Sequence, residues 1–228
     1  MPRAPGPPGG RAPRPGGCGA PTPRCPSRSA RPWADVLDTL DHLGVGRFVL
    51  AGNSLGALVG LQAAVTAPER VEGMVLVGYR PHDQAASPRL LAAGEAERAA
   101  LAAGDLDAAV AAGVEAWTSP GAADDVRAHA ARMLRGQLTG QLALREPPLA
   151  ADPLGDGSAA PSTLTAPALV AVGEHDMPDF FEGGEAPARD LGAGDTAVIP
   201  AAGRLAPLEQ PAAFCDPLVD FVRRLPRR

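Results

Sequence analysis

The residues in this chain best suited to chemistry are Gly52-Asn53-Ser54-Leu55-Gly56, which fit the pattern G-x-S-x-G. That pattern has mechanical meaning where a strand turns sharply into a helix, and here an apolar run precedes it and a helical pattern follows it. A serine at the apex of such a turn stands exposed above the sheet as a nucleophile for an acyl carbonyl. The flanking glycines let backbones approach closely, and the first helical amides face a developing oxyanion, with Leu55 N–H the candidate donor. The alternative reading is a glycine-rich turn in which Ser54 only caps the helix. A second candidate is Asp176, in Gly173-Glu174-His175-Asp176 after the run P-A-L-V-A-V. A carboxylate at the carboxyl end of a parallel strand lies on the edge where such sheets place their sites. The alternative there is a loop or helix-capping aspartate.

The elements that must position these groups follow from periodicity. Trp33, Val36, Leu37, Leu40 and Leu43 fall at helical spacing, with Pro32 at the entrance and Gly44 beyond the end. Residues 46–52 and 73–78 are short apolar runs between glycines, the signature of strands buried on both faces, and a helix from Ser54 to about Ala67 joins them. That makes a βαβ unit. Residues 88–146 hold no strand candidate and predict three or four helices, broken at Gly104, at Pro120-Gly121 and at Gly136 to Gly140. Residues 147–166 predict a loop, 167–173 and 196–199 two further strands with an acidic helix between them, and 207–224 a last helix with a kink at Pro217. On that helix Phe214, Leu218, Phe221 and Val222 share one side.

Composition separates a tail from a body. The chain has 228 residues, of which 27 are Gly and 26 Pro, and residues 1–32 alone carry ten Pro, six Gly and six Arg. Such a segment cannot build a core and is expected to be disordered. The net charge of −5 divides into +6 on that arm and −11 on the remainder. An acidic body, with a basic arm that has no aromatic before Trp33, argues against nucleic-acid binding. Cys18, Cys25 and Cys215 form neither a C-x-x-C pair nor a disulfide framework. No stretch suits a signal peptide or the roughly 20 apolar residues of a membrane span, so a cytoplasmic protein is expected. No metal cluster, phosphate-cradling loop or dinucleotide fingerprint is visible, and no cofactor is expected.

From Trp33 to the C-terminus the chain resembles the α/β-hydrolase family. The stretch L-G-V-G-R-F-V-L-A-G-N-S-L-G-A-L-V-G-L-Q-A-A-V-T-A-P-E-R-V is similar to that family's fifth strand, nucleophile elbow and following helix. The resemblance implies an α/β fold with a mostly parallel sheet lacking the usual first strands. It assigns 33–80 and 160–228 to the core, 81–159 to a helical cap and return loop, and 1–32 to the arm. It implies Ser54 as nucleophile, Leu55 N–H as oxyanion donor and Asp176 as the acid, in the family's G-E-x-D pattern. The family's base is a histidine in a G-H-x-x-x-x-E-x-P context. Here Gly203-Arg204-Leu205-Ala206-Pro207-Leu208-Glu209-Gln210-Pro211 puts Arg204 in its place. Arginine offers no lone pair, so it cannot take a proton from Ser54, and an ion pair with Asp176 is expected instead. His175 and His82 are the candidate substitutes, His175 being poorly placed because it neighbours Asp176 in an extended segment; His42 and His129 lie on helices away from the turn.

The expected function is a serine hydrolase of ester, lactone or similar small acyl substrates, impaired by Arg204. The alternative is an inactive hydrolase-like binding protein, or a gene-model fragment whose arm comes from a misplaced start or a frameshift. Asn53, beside the nucleophile, also keeps open the family's carbon–carbon bond hydrolases. The Ala-rich cap offers Trp117 as its one large anchor. The expected partner is a small-molecule acyl substrate or ligand, with neither nucleic acid nor membrane.

Overall fold

Apolar runs without polar alternation become strands covered on both faces, and four of them do so here. In the computed structural model, which describes residues 29–81, 83–143, 150–155 and 160–226, they are β1 (Phe48–Asn53), β2 (Val71–Val77), β3 (Ala168–Gly173) and β4 (Ala197–Ile199). All pair in parallel in the order β1-β2-β3-β4, with Gly52 beside Leu76, Leu76 beside Val170 and Val172 beside Val198. His82 and all but the last four residues of the expected arm lie outside the described residues.

β2 shows why its sequence is apolar throughout. Met74 and Leu76 pack on one face against Leu58 and Leu61 of helix α2 (Leu55–Thr66), beside α1 (Pro32–His42) and α6 (Pro178–Asp190). Val75 and Val77 point the other way, against Phe221 of α8 (Pro211–Arg224). Alternation persists in geometry while both sets are buried. Helix α2 is apolar around its circumference for the same reason, with eight of its twelve residues buried. Truncating a side chain as enclosed as Leu61 is expected to cost about 2–5 kcal/mol. Among the described residues no strand pairs with the outer edge of β1, where Val49 and Leu50 are half-buried and Ala51 is exposed.

Between β2 and β3 the chain inserts three helices, α3 (Pro88–Ala102), α4 (Leu106–Trp117) and α5 (Asp124–Ala143). Val110, Val114, Ala130 and Leu138 pack among them. Leu90, Ala93, Ala116 and Trp117 press onto Val172, Met177 and Phe180 at the carboxyl edge of the sheet. The breaks expected at Gly104 and Pro120-Gly121 separate these helices, but the one expected at Gly136 to Gly140 does not occur, because α5 runs through both glycines. An internal glycine costs only about 1 kcal/mol relative to alanine. The packing of Ala130, Leu134 and Leu138 offsets that.

The last stretch also differs from expectation. It divides into α7 (Ala206–Glu209) and α8 at Gln210, whose φ of −135° and ψ of 64° are non-helical, while Pro217 lies inside α8. A residue preceding proline is driven out of the helical region, and Pro211 then starts the next helix at its first position. No described helix is long and apolar enough to cross a membrane.

Candidate active site

Four parallel strands send their carboxyl ends to one edge, and each delivers one group to the same place. The residue after β1 is Ser54, with φ 60° and ψ −122°. A non-glycine residue held there carries strain of about 1–3 kcal/mol, which surrounding structure must enforce. Ser54 N–H donates to the Val77 carbonyl at 2.9 Å, and Ala57 N–H donates to the Ser54 carbonyl at 3.0 Å. Gly52 is required by contact, since a Cβ there would lie 2.2 Å from the Gly56 carbonyl oxygen. The Ser54 side chain makes no capping bond to α2, so the capping alternative does not describe this turn. Leu55 N–H opens α2, and among the described residues no acceptor meets it.

Asp176 follows β3 and is buried, its side chain only 2% exposed. Its Oδ1 accepts from Met177 N–H at 2.8 Å, and its Oδ2 faces Arg204 Nη1 at 3.3 Å. Burial pushes this carboxyl above the usual carboxylate range, and the Arg204 charge and the Met177 amide offset part of that rise. His175, one residue earlier, points outward and is exposed. His42 and His129 are exposed as well, and His129 Nδ1 lies 3.2 Å from Arg132. Among the described residues no histidine hydrogen-bonds to Ser54. His82, the other candidate, lies outside them.

Arg204 follows β4 and is the centre of the arrangement. Its Nη2 donates to Ser54 Oγ at 2.8 Å, and its Nη1 donates to the Gly78 carbonyl, at the end of β2, at 2.8 Å. The guanidinium carbon sits 3.1 Å from the centroid of the Phe180 ring, a cation–π stack. Gly78 is required for this fit: its φ is 56°, and a Cβ there would lie 2.7 Å from Arg204 Nη1. Burial pushes the Arg204 guanidinium below the usual arginine range, and Asp176 draws it back up; it remains a cation.

Two further groups hold this loop in place. Glu209 is buried, and its Oε2 accepts from Gly203 N–H at 3.1 Å and from Ser119 N–H of the insert at 2.8 Å, while its Oε1 accepts from Leu205 N–H at 3.2 Å. Asn53 Nδ2 donates to the Arg204 carbonyl at 3.2 Å, so this amide is engaged with the loop. Glu209 stood in the quoted nine-residue run with two of its partners, Gly203 and Leu205, but its third, Ser119, comes from the insert.

Ser54, Arg204 and Leu205 open into a cavity of about 350 Å³ whose other walls come from the insert, chiefly Trp117, Met133, Leu134 and Leu138, with Glu97 the acidic group and Gln137 a neutral polar one. That is a volume for a small ligand. Among the described residues no cluster of three His, Cys, Asp or Glu side chains could hold a metal ion.

A family profile described as the alpha/beta hydrolase fold matches residues 14–211. This chain belongs to that family. RutD of Klebsiella pneumoniae (strain 342), assigned as a carbamate hydrolase, is 41% identical over 70 residues, which are 28% of this chain and 26% of RutD. The strigolactone esterase RMS3 of Pisum sativum is 33% identical over 88 residues, 37% of this chain and 30% of RMS3. The matched stretches thus span between a quarter and a third of those relatives. Among solved structures, a thermophilic esterase from Thermogutta terrifontis in a malate-bound form has a TM-score of 0.63 at 25% identity, covering 87% of this chain and 74% of its own. A hydrolase from Pseudomonas aeruginosa has a TM-score of 0.61 at 28% identity, covering 83% and 70%. The α/β-hydrolase chain described here shares with them its fold.

Proposed function

We propose that this α/β hydrolase is a serine hydrolase for small acyl substrates whose turnover is impaired by Arg204. The observation that carries this reading is the direction of one hydrogen bond. Acyl transfer requires Ser54 to lose its proton as Oγ attacks the carbonyl carbon, with Leu55 N–H receiving the charge that develops on the carbonyl oxygen. The group against Ser54 Oγ is a guanidinium that donates and cannot accept. The alkoxide therefore forms only through solvent, and the acyl-enzyme has no base to activate the water that would cleave it. Removing the base of a well-studied serine protease lowers turnover on the order of 10⁶-fold. The nucleophile turn, the acid and a cap of three helices survive around a base that does not.

The acyl group is an ester or carbamate in this reading, on the strength of the esterase and carbamate-hydrolase relatives. The apolar wall around Trp117 suits an aliphatic chain. A second reading, a binding protein without turnover, is favoured by the same cavity, which Ser54 and Arg204 line. Labelling with a fluorophosphonate probe and hydrolysis of p-nitrophenyl acetate decide between impairment and full activity. Weak labelling, with hydrolysis close to that of a Ser54→Ala control, supports the proposal. Turnover far above that control would overturn it.

A further inference from the structure

We infer that exchanging a base for a guanidinium makes Ser54 a donor into the cavity, so that the site binds a small monocarboxylate with an aliphatic body. The inference rests on the proposed loss of the base. A histidine nitrogen would accept the Ser54 proton and leave Oγ pointing its lone pairs at a substrate. Arg204 Nη2 instead fills an Oγ lone pair from 2.8 Å, which turns the hydroxyl hydrogen away from it. Among the described residues no acceptor takes that hydrogen. Leu55 N–H, on the same turn, is likewise without one. The Ser54–Arg204 end of the cavity therefore offers an O–H and the guanidinium edge, both donors, and the wall adds the neutral amide of Gln137.

An anionic carboxylate, with two oxygens and about four lone-pair directions, is the ligand that such a donor pair satisfies, through charge-assisted hydrogen bonds. Asp176 does not compete, because its oxygens are turned to Met177 N–H and Arg204 Nη1. Glu97, on the wall from α3, is the one acidic group lining the cavity and repels a second negative charge. Trp117, Leu134, Met133 and Leu138 accept the hydrocarbon. The recognised class is thus a monocarboxylate, with dicarboxylates and neutral amides disfavoured.

Sodium butyrate is the probe, with butyramide as its neutral isostere and succinate as the dianion, read by Trp117 fluorescence and by calorimetry. Butyrate is expected to bind saturably and at least about tenfold more tightly than either comparison compound, about 1.4 kcal/mol. Ser54→Ala, which removes the hydroxyl donor and leaves the Arg204 contacts to Asp176 and Gly78, is expected to weaken butyrate about tenfold, and Arg204→Gln more than that. Equal binding of butyramide, no effect of Ser54→Ala, or no saturable butyrate signal would each overturn the inference. Hydrolysis of p-nitrophenyl acetate on the same sample separates the two readings. Turnover far above that of Ser54→Ala removes the impaired-hydrolase proposal, whereas missing butyrate binding without such turnover removes this inference alone.

Discussion

The turn after β1 and the loop after β4 meet where Arg204 donates to Ser54 Oγ and Asn53 donates to the Arg204 carbonyl, yet they differ in the group they deliver. At Ser54 the turn geometry and the hydroxyl that the proposed reaction uses are both present, down to a φ of 60° held with bonds to Val77 and Ala57. At Arg204 the geometry is equally fixed, by Glu209, Asn53 and the Gly78 carbonyl, but the group delivered donates where the proposed reaction calls for an acceptor. Backbone positioning and chemical role are therefore separable. A scaffold that holds a side chain in place through its loop's N–H and C=O groups is indifferent to what that side chain can do.

The sharpest way to break this comparison is to restore the acceptor. Arg204→His is expected to raise p-nitrophenyl acetate hydrolysis by about 10³-fold or more, part of the full worth of a triad base. If activity stays at the Ser54→Ala level in a folded variant, the loop does not hold residue 204 where a base must sit. On the other side of the pair, Gly52→Ala would place its Cβ 2.2 Å from backbone that cannot yield, and is expected to lower stability by about 3 kcal/mol, the upper end of overpacking costs. Urea melts with unchanged activity per folded molecule would show that the turn does not depend on this close approach. A smaller effect is expected at Glu209→Ala, which leaves three backbone N–H groups without their acceptor. A loss of about 2 kcal/mol, or roughly 4–8 °C in Tm, would mark the loop as held by that carboxylate.

The smallest expected effect is a pH dependence at the joint between insert and core. Asp179 is buried and accepts from Ser87 N–H at 2.7 Å and Ser87 Oγ at 2.5 Å, with Arg80 Nε at 3.8 Å. Burial pushes its carboxyl up, but the Ser87 bonds and the Arg80 charge prevail and hold it below the usual carboxylate value. A depressed folded-state pKa contributes stability above the unfolded value, lost as pH falls through the folded one. As pH falls below the ordinary carboxylate range the wild type is therefore expected to lose stability that Asp179→Asn does not lose, as read from acid-limb denaturation curves.

Much of the positioning was legible in the sequence because it rests on local pattern. Short apolar runs, the first two bounded by glycines, located all four strands, and the tight turn at Ser54 follows from a run ending where a helix begins. Legibility failed where a weak local signal met tertiary packing. Gly136 and Gly140 looked like a stop but lie in a helix that Leu134 and Leu138 anchor. Pro217 looked like the kink, while Gln210 before Pro211 is where the helix divides. Phe180 under the guanidinium, the Ser119 bond to Glu209 and the Gly78 carbonyl could not be foreseen, since each joins segments distant in sequence.

One consequence of the Arg204 contacts reaches beyond proton transfer. Its guanidinium touches Ser54 after β1, Gly78 after β2 and Asp176 after β3, while its own backbone continues from β4. A single planar cation thus staples together the ends of every strand in the sheet. An imidazole carries two nitrogens and can serve only two of those three acceptors, so the variant that regains a proton acceptor loses a fastening, and faster chemistry arrives in a looser molecule.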